Sequence, residues 1–497
     1  MGNFFNSLRW QIVVLAALIG GCAVTPTTIT TEEYTQQLDA DLAMLFADQD
    51  PLEGPLGLYE ALARAIKYNL DHRLKLMEDA LSLGQLDVDR YNMLPELVAD
   101  AGYDWRSNYS GASSKSLLTG AQSLEPSTSA ERNFATANIT MVWNVLDFGV
   151  SYIHAQQQAD QALISNERRR KVMQNIVQDV RYAYWRAVSA ERLLPKMDAL
   201  LQSAYAALQR AKMLEKLQLQ PPLQALNYQK ALLEVIRQMW MLRQDLATAK
   251  TELSALINLK PGTRFELADT GLEQDELPAV LADLEELEDL ALKNRPELIE
   301  EHYQARIAAL EVKKAMRRML PGLELTLGGF YDGNSYVYNG DWVSAGYGLS
   351  WNLMKLFSGP ADIRLARTQQ SVDELRRLSL SMAIVTQVHL AYQRFQIARK
   401  SYAVSSDMMT VETRIQEQLE AQQRAQTGNE LEKIRSEASA LAIEMQRDLG
   451  YAELQNAFGQ LHNSLGVDPG DIETLVASIE ARLNAPVSAG DSLDSTN

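Results

Sequence analysis

The stretch Val343-Ser344-Ala345-Gly346-Tyr347-Gly348-Leu349-Ser350-Trp351-Asn352-Leu353 alternates without a fault between apolar residues and small or polar ones. A period of two describes a strand with one greasy and one wettable face. Its length matches the roughly 9–11 residues that a tilted strand needs to cross a bilayer. Three other segments read the same way. Leu97, Ala99, Ala101, Tyr103, Trp105 and Tyr109 oppose Asp100, Gly102, Asp104, Arg106 and Asn108. Ala135, Ala137, Ile139, Met141, Trp143 and Val145 oppose Thr136, Asn138, Thr140 and Asn144. Leu323, Leu325, Leu327 and Tyr331 oppose Glu324, Thr326 and Asp332. Strands are therefore predicted at about 97–109, 134–146, 322–332 and 342–353.

Working outward, Trp351-Asn352 repeats Trp143-Asn144, and the shift of 208 residues holds without a gap from Trp143 to Gly262. Ile176, Val180, Ala183, Tyr184, Arg186 and Ala190 recur as Ile384, Val388, Ala391, Tyr392, Arg394 and Ala398, and Pro261-Gly262 as Pro469-Gly470. Leu94-Pro95 recurs as Leu320-Pro321 at a shift of 226, so the first half is 18 residues longer between Leu-Pro and Trp-Asn, where its polar loop at 110–132 is longer than the counterpart at 332–341. A period this long is a duplicated half-molecule rather than a short-repeat solenoid. The halves span 57–262 and 283–470, joined by a linker at 263–282 and followed by a tail at 471–497.

Each half begins with two helices, Leu58 to Asn69 and Asp71 to Met93, then Asp283 to Lys293 and Pro296 to Met319. Leu94-Pro95 and Leu320-Pro321 stop the second of each pair, because proline lacks a donor and bars the residue before it from helix. After the strands, Gly149 and Gly359-Pro360 are expected to start very long helices, with proline suited to a first helical position. Ile384, Val388, Ala391, Phe395 and Ala398 run at coiled-coil spacing. These helices reach about Glu215 and Gln426, break at Pro221-Pro222 and Thr427-Gly428, and return at about Leu223–Asn258 and Glu430–Leu465.

The net charge of −17 argues against nucleic-acid binding, which needs clustered Lys and Arg. Beyond residue 21 no uncharged apolar run is long enough for a transmembrane helix, which leaves β-strands as membrane spans untouched. Arg9, the apolar run Ile12 to Ile19 and Gly20-Gly21-Cys22 read as a secretory signal over residues 1–21. Leu18-Ile19-Gly20-Gly21-Cys22 resembles a bacterial lipobox, which makes Cys22, the only cysteine, the acylated first residue of the mature chain. In such lipoproteins an Asp after the Cys retains the protein at the inner membrane; Ala23 points instead to the outer one. Residues 22–56, Thr-rich and then acidic, read as an extended tether.

Four strands cannot close a barrel, and a lipid-exposed sheet edge leaves backbone groups unpaired at several kcal/mol each. Copies of the chain must pool strands in fours, and about twelve leave room for an aqueous lumen. The order of helix pair, Leu-Pro, strand, loop, strand ending in Trp-Asn, long helical hairpin and Pro-Gly, twice over, resembles the TolC family of outer-membrane efflux channels across about 57–470. That resemblance implies a mainly α fold with a small transmembrane β part. It implies a homotrimer in which each chain gives four strands to a twelve-stranded barrel, continued by a coiled-coil α-barrel. It also implies docking to a periplasmic adaptor (membrane fusion protein) and an inner-membrane ABC or resistance-nodulation-division pump. Members are passive ducts for small molecules or secreted proteins, so neither a catalytic residue nor a cofactor is expected.

Within that frame Tyr103, Trp105, Trp143, Tyr331, Tyr347 and Trp351 are membrane-interface aromatics, against the alternative of a soluble aromatic core. Glu430, Glu432 and Glu437 follow the second hairpin tip and are candidates for a periplasmic gate, or simply a solvated coiled-coil face. Gln220, Pro221, Pro222, Thr427, Gly428 and Asn429 are the tip residues an adaptor would meet, or only helix breakers. Asn69-Leu70-Asp71 lacks the proline of Asn294-Arg295-Pro296, which puts one helix start in question. Asp147-Phe148-Gly149 spells a kinase motif with none of its companions. His72, His154, His302, His389 and His462 show no metal spacing. The rival of another class is a non-conducting periplasmic coiled-coil scaffold with a small soluble sheet.

Overall fold

The computed structural model describes residues 27–47, 49–52, 54–123, 125–217, 221–268, 283–424 and 430–468. The signal segment, Cys22, the linker at 269–282, both hairpin tips (218–220 and 425–429) and the tail from 469 lie outside the described residues. The chain divides into Met1–Glu53 and Gly54–Asn497. In the first unit, where an extended tether is expected, helix α1 spans Thr31–Leu45. A capping box explains it. The Thr30 hydroxyl accepts from Glu33 N while the Glu33 carboxylate accepts from Thr30 N, so two orphan donors are satisfied at once.

The second unit holds both halves. The first runs α2 (Leu58–Tyr68), α3 (Leu70–Tyr91), β1 (Glu96–Trp105), a small hairpin of β2 (Gly111–Ala112) and β3 (Ser127–Thr128), β4 (Asn133–Asn144), α4 (Val145–Lys216), α5 (Pro222–Ala247) and α6 (Ala249–Leu256). The second runs α7 (Leu284–Asn294), α8 (Pro296–Arg317), β5 (Gly322–Asp332), β6 (Asp341–Ser350), α9 (Lys355–Arg424) and α10 (Glu430–Leu465). The first return helix, expected to be continuous, is interrupted at Thr248.

The long helices start earlier than glycine and proline suggested. Asn144 Oδ1 accepts from Leu146 N and Asp147 N, and Asn352 Oδ1 accepts from Met354 N. The asparagine of each Trp-Asn pair thus caps the turn that follows, as short polar side chains do at this position. Pro360 consequently lies inside α9 rather than at its first position. Gly359 serves close packing instead, since a Cβ there would fall 2.6 Å from Met319 Cγ. The missing proline at Leu70 matters little. Asn69 Oδ1 accepts from Asp71 N and His72 N and starts α3 where Pro296 starts α8.

The stripe expected from coiled-coil spacing is buried: Ile384, Val388 and Phe395 are 0 % exposed, with Ala391 and Ala398 beside them. Leu287, Ala291 and Leu298 pack onto Ile384 and Val388 together with Leu465. Between the halves, Tyr184, Trp185 and Tyr451 form an edge-to-face series across α4 and α10, with Trp185–Tyr451 centroids 4.8 Å apart. Such pairs add about 0.5–1.5 kcal/mol beyond burial.

Candidate functional site

The sheet order β1-β4-β5-β6 is antiparallel throughout, and the join between the halves is the β4–β5 pair. Register aligns the apolar parities of all four strands. Leu97 pairs with Met141, which pairs with Leu327, which pairs with Ala345. One row toward the helices, Trp143, Leu325 and Tyr347 lie side by side. The result is one continuous apolar face that the described residues leave largely uncovered: Leu97 is 70 % exposed, Val343 77 % and Tyr347 83 %. For a water-bathed sheet that face would be a large unsatisfied patch.

Aromatic residues gather at both ends of the face. Tyr103, Trp105 and Tyr331 lie toward the loops; Trp143, Tyr347 and Trp351 lie toward the helices. Trp351 Nε1 donates to the Met319 carbonyl at 3.0 Å, so this ring is anchored at the strand-to-helix corner. Trp105 faces Asn133, and Trp143 lies ten residues further along β4. Ten residues at about 3.3 Å each, tilted by about 40°, rise about 25 Å, the height of a barrel's apolar band. Tyr109, expected on the same face, instead lies in the loop beyond β1 under the Arg132 guanidinium.

Both outer strands are open. β1 and β6 each have a partner on one side only, so two ten-residue edges carry unpaired backbone groups. The helices repeat this pattern. α8 packs between α4 and α9, whereas its counterpart α3 packs on α4 and touches α2. The outward face of α3 carries Leu74, Met77, Leu81 and Val88, all exposed at coiled-coil spacing. On α9, Leu390, Ile397, Val404 and Val411 repeat every seven residues, exposed; Leu226, Leu233 and Trp240 do so on α5.

The two hairpins are laced by ions along the α4–α10 contact. Arg192 binds Asp448, which is 2 % exposed; Lys196 Nζ donates to Glu444 Oε1 at 2.7 Å; Arg210 pairs with Glu430. Burial raises the Asp448 pKa even against the Arg192 and Arg447 charges. Burial would also raise Glu297, but the Arg295 hydrogen bond and the Lys171 and Arg295 charges hold it at about 2. Burial first, and the Arg181 charge second, depress His462 to about 4.

The three gate candidates do not converge. Glu430 is engaged by Arg210, Glu437 lies 3.7 Å from Lys433, and Glu432 is exposed. Of the tip candidates, Pro222 is the first residue of α5 and Pro221 its cap; Gln220, Thr427, Gly428 and Asn429 lie outside the described residues. Asp147-Phe148-Gly149 forms the first turn of α4, where Phe148 meets the Trp143 ring edge-on at 5.6 Å. His389 pairs with Glu288 at 2.6 Å and His72 Nδ1 contacts the Ile66 carbonyl at 2.8 Å. No group of three or more His, Cys, Asp or Glu that could hold a metal occurs among the described residues, nor any helix long and apolar enough to cross a membrane.

A duplicated four-stranded amphipathic sheet continued by paired helical hairpins is the fold of TolC-type outer-membrane channels, as the sequence resemblance implied. The outer-membrane channel CmeC of Campylobacter jejuni superposes with a TM-score of 0.64 at 12% identity, over 92% of this chain and 97% of that one. CusC, described as forming a transmembrane channel, gives 0.62 at 16% identity over 85% and 96%. The open-state channel MtrE of Neisseria gonorrhoeae gives 0.60 at 16% identity over 84% and 95%. No family model matches the chain, and no curated protein matches it in sequence.

Proposed function

We propose that this protein is a passive outer-membrane exit duct, assembled from three copies and serving a tripartite export system. The observation that carries the reading is the sheet with two open edges and an uncovered apolar face. Strand directions alternate from β1 to β6, so β6 of one copy meets β1 of the next in antiparallel sense and a closed ring leaves no edge. The helices close by the same operation: the outward face of α9 from one copy covers α3 and α5 of the next, as another face of α9 already covers α8 within the chain. Three copies bring twelve strands, enough for a wet lumen.

The aromatic rows then sit at the two bilayer interfaces, the polar sheet face lines the pore, and the helical hairpins reach into the periplasm. Their tips are where a periplasmic adaptor and an inner-membrane ABC or resistance-nodulation-division pump would engage. Cys22, acylated, anchors the chain to the periplasmic leaflet of the outer membrane. Energy comes from the pump, so the protein itself is not an enzyme.

The test is reconstitution of the mature protein from detergent into a planar bilayer, with native mass measured in parallel. Discrete conductance steps and a three-chain mass are expected. A monomer that stays in solution without detergent and passes no current would instead be the coiled-coil scaffold.

A further inference from the structure

The wettable face of the sheet carries apolar residues that alternation does not predict, Val98, Phe134, Val142, Phe330 and Trp342, and the last two are direct neighbours. Phe330 and Trp342 lie directly opposite each other on β5 and β6, on the same parity as Thr326 and Ser344. Their rings stack with centroids 5.4 Å apart and planes 12° off parallel. The backbone makes room for them. A Cβ at Gly328 would fall 2.8 Å from Cε2 and Cζ of Phe330, so the ring lies flat over the one residue type without a side chain. Lipid contact does not account for the pair, because interfacial aromatics belong on the opposite parity, with Tyr331 and Tyr347.

Across the sheet, the same row continues through Asn138 to Asp100. Asn138 Nδ2 donates to Asp100 Oδ2 at 3.5 Å and holds the carboxylate on this level. The strands put Glu96, Asp104, Glu324 and Asp332 on this face as well, and no Lys or Arg. A half-buried Phe330 ring and a more exposed Trp342 ring, on a face whose strands carry acids and whose first cation, Arg106, lies beyond the end of β1, attract a cation that also has apolar surface to stack.

We propose that Phe330 and Trp342, together with Asp100, form a pore-facing binding ring for organic cations with an apolar body. The assignment rests on the export-duct reading above. It deepens that reading by naming the class of cargo the lumen favours. In the closed assembly each Trp342 also faces β1 of the next copy, so acids of two chains flank every aromatic pair.

The experiment is single-channel recording of the full-length protein in a planar bilayer in KCl. Tetraphenylphosphonium serves as the probe, with tetraphenylborate as its anion of equal shape. Tetraphenylphosphonium is expected to block and tetraphenylborate not to. The double substitution Phe330→Ser with Trp342→Ser is expected to weaken the block about tenfold. Asp100→Asn keeps both rings and should weaken it several-fold. Gly328→Ala displaces the Phe330 ring without deleting it, and carries the test together with Asp100→Asn should the double variant fail to insert. Block by the cation that is unchanged in these variants, or equal block by tetraphenylborate, overturns the proposal while the duct stands. A wild-type protein with no conductance steps overturns the duct itself.

Discussion

Asn258 and Gly466 stand at matching places in the two halves, 208 residues apart, and both adopt a left-handed backbone, with φ of 56° and 69°. Each ends the return helix of its half. Beside them the junctions match too: Asn69 Nδ2 donates to the Leu256 carbonyl, and Arg295 Nη1 to the Ser464 carbonyl. The duplication thus survives as a shared way of stopping a helix and tying it to the start of α3 or α8.

The two positions differ in room, and substitution should expose that. A Cβ at Gly466 would lie 2.6 Å from Arg295 Cα, a backbone atom that cannot step aside. Gly466→Ala is expected to destabilise by about 2 kcal/mol or more, combining left-handed strain with the clash. Asn258→Gly should stay within about 1 kcal/mol. Denaturant melts of detergent-solubilised protein separate the two.

Asn144 and Asn352 offer a second check. Replacing either by Ala removes the side-chain acceptor at the start of a helix some seventy residues long. Each should cost about 1 kcal/mol. Loss of amide protection confined to the first turn of α4 or α9 in hydrogen exchange would be the signature.

His462 should make stability depend on pH in the acid range. Its folded pKa, about 4, lies below the ordinary 6.5 because burial and Arg181 disfavour the cation. The unfolded chain therefore takes up the proton first. Stability is whole above about pH 6.5 and falls as pH drops toward 4, by up to about 3 kcal/mol. A His462→Gln variant should flatten the curve between those values in urea melts.

Asp448 is a buried carboxylate whose partners Arg192 and Arg447 come from α4 and from its own helix. Asp448→Ala leaves the partly exposed Arg192 guanidinium with Glu444, 3.7 Å away, as its remaining acid, and is expected to cost about 3 kcal/mol. Adding Arg192→Met should restore part of it, read as the coupling term of a double-mutant cycle.

Assembly can be probed apart from folding. Ile397→Glu with Val404→Glu puts charge on the seam of α9, which the described residues leave exposed. Helix content by circular dichroism should remain, while native mass shifts from three chains to one.

Much of the architecture was legible because it is written in local periods. The four strands appear within a few residues of their predicted ends, since alternation is a property of neighbours along the chain. Helix starts were less legible: Gly149 and Gly359-Pro360 drew attention, while the capping role of Asn144 and Asn352 depends on a side chain turning back to its own backbone. The capping box that folds α1 was readable as Thr30-Thr31-Glu32-Glu33 but lay in a segment without apolar period. Phe330 and Trp342 are not legible as a pair, because each interrupts a polar parity on its own strand and only strand pairing makes them neighbours.

From the chain alone came the duplication, the amphipathic strands and the proline stops, because each rests on chemistry within a few residues. Tertiary structure alone decided which strands pair and where the halves join. It brought Arg192 to Asp448, 256 positions away, and left β1 and β6 each open on one side. Register and long-range contacts are chosen by the summed packing of distant faces, which no local window contains.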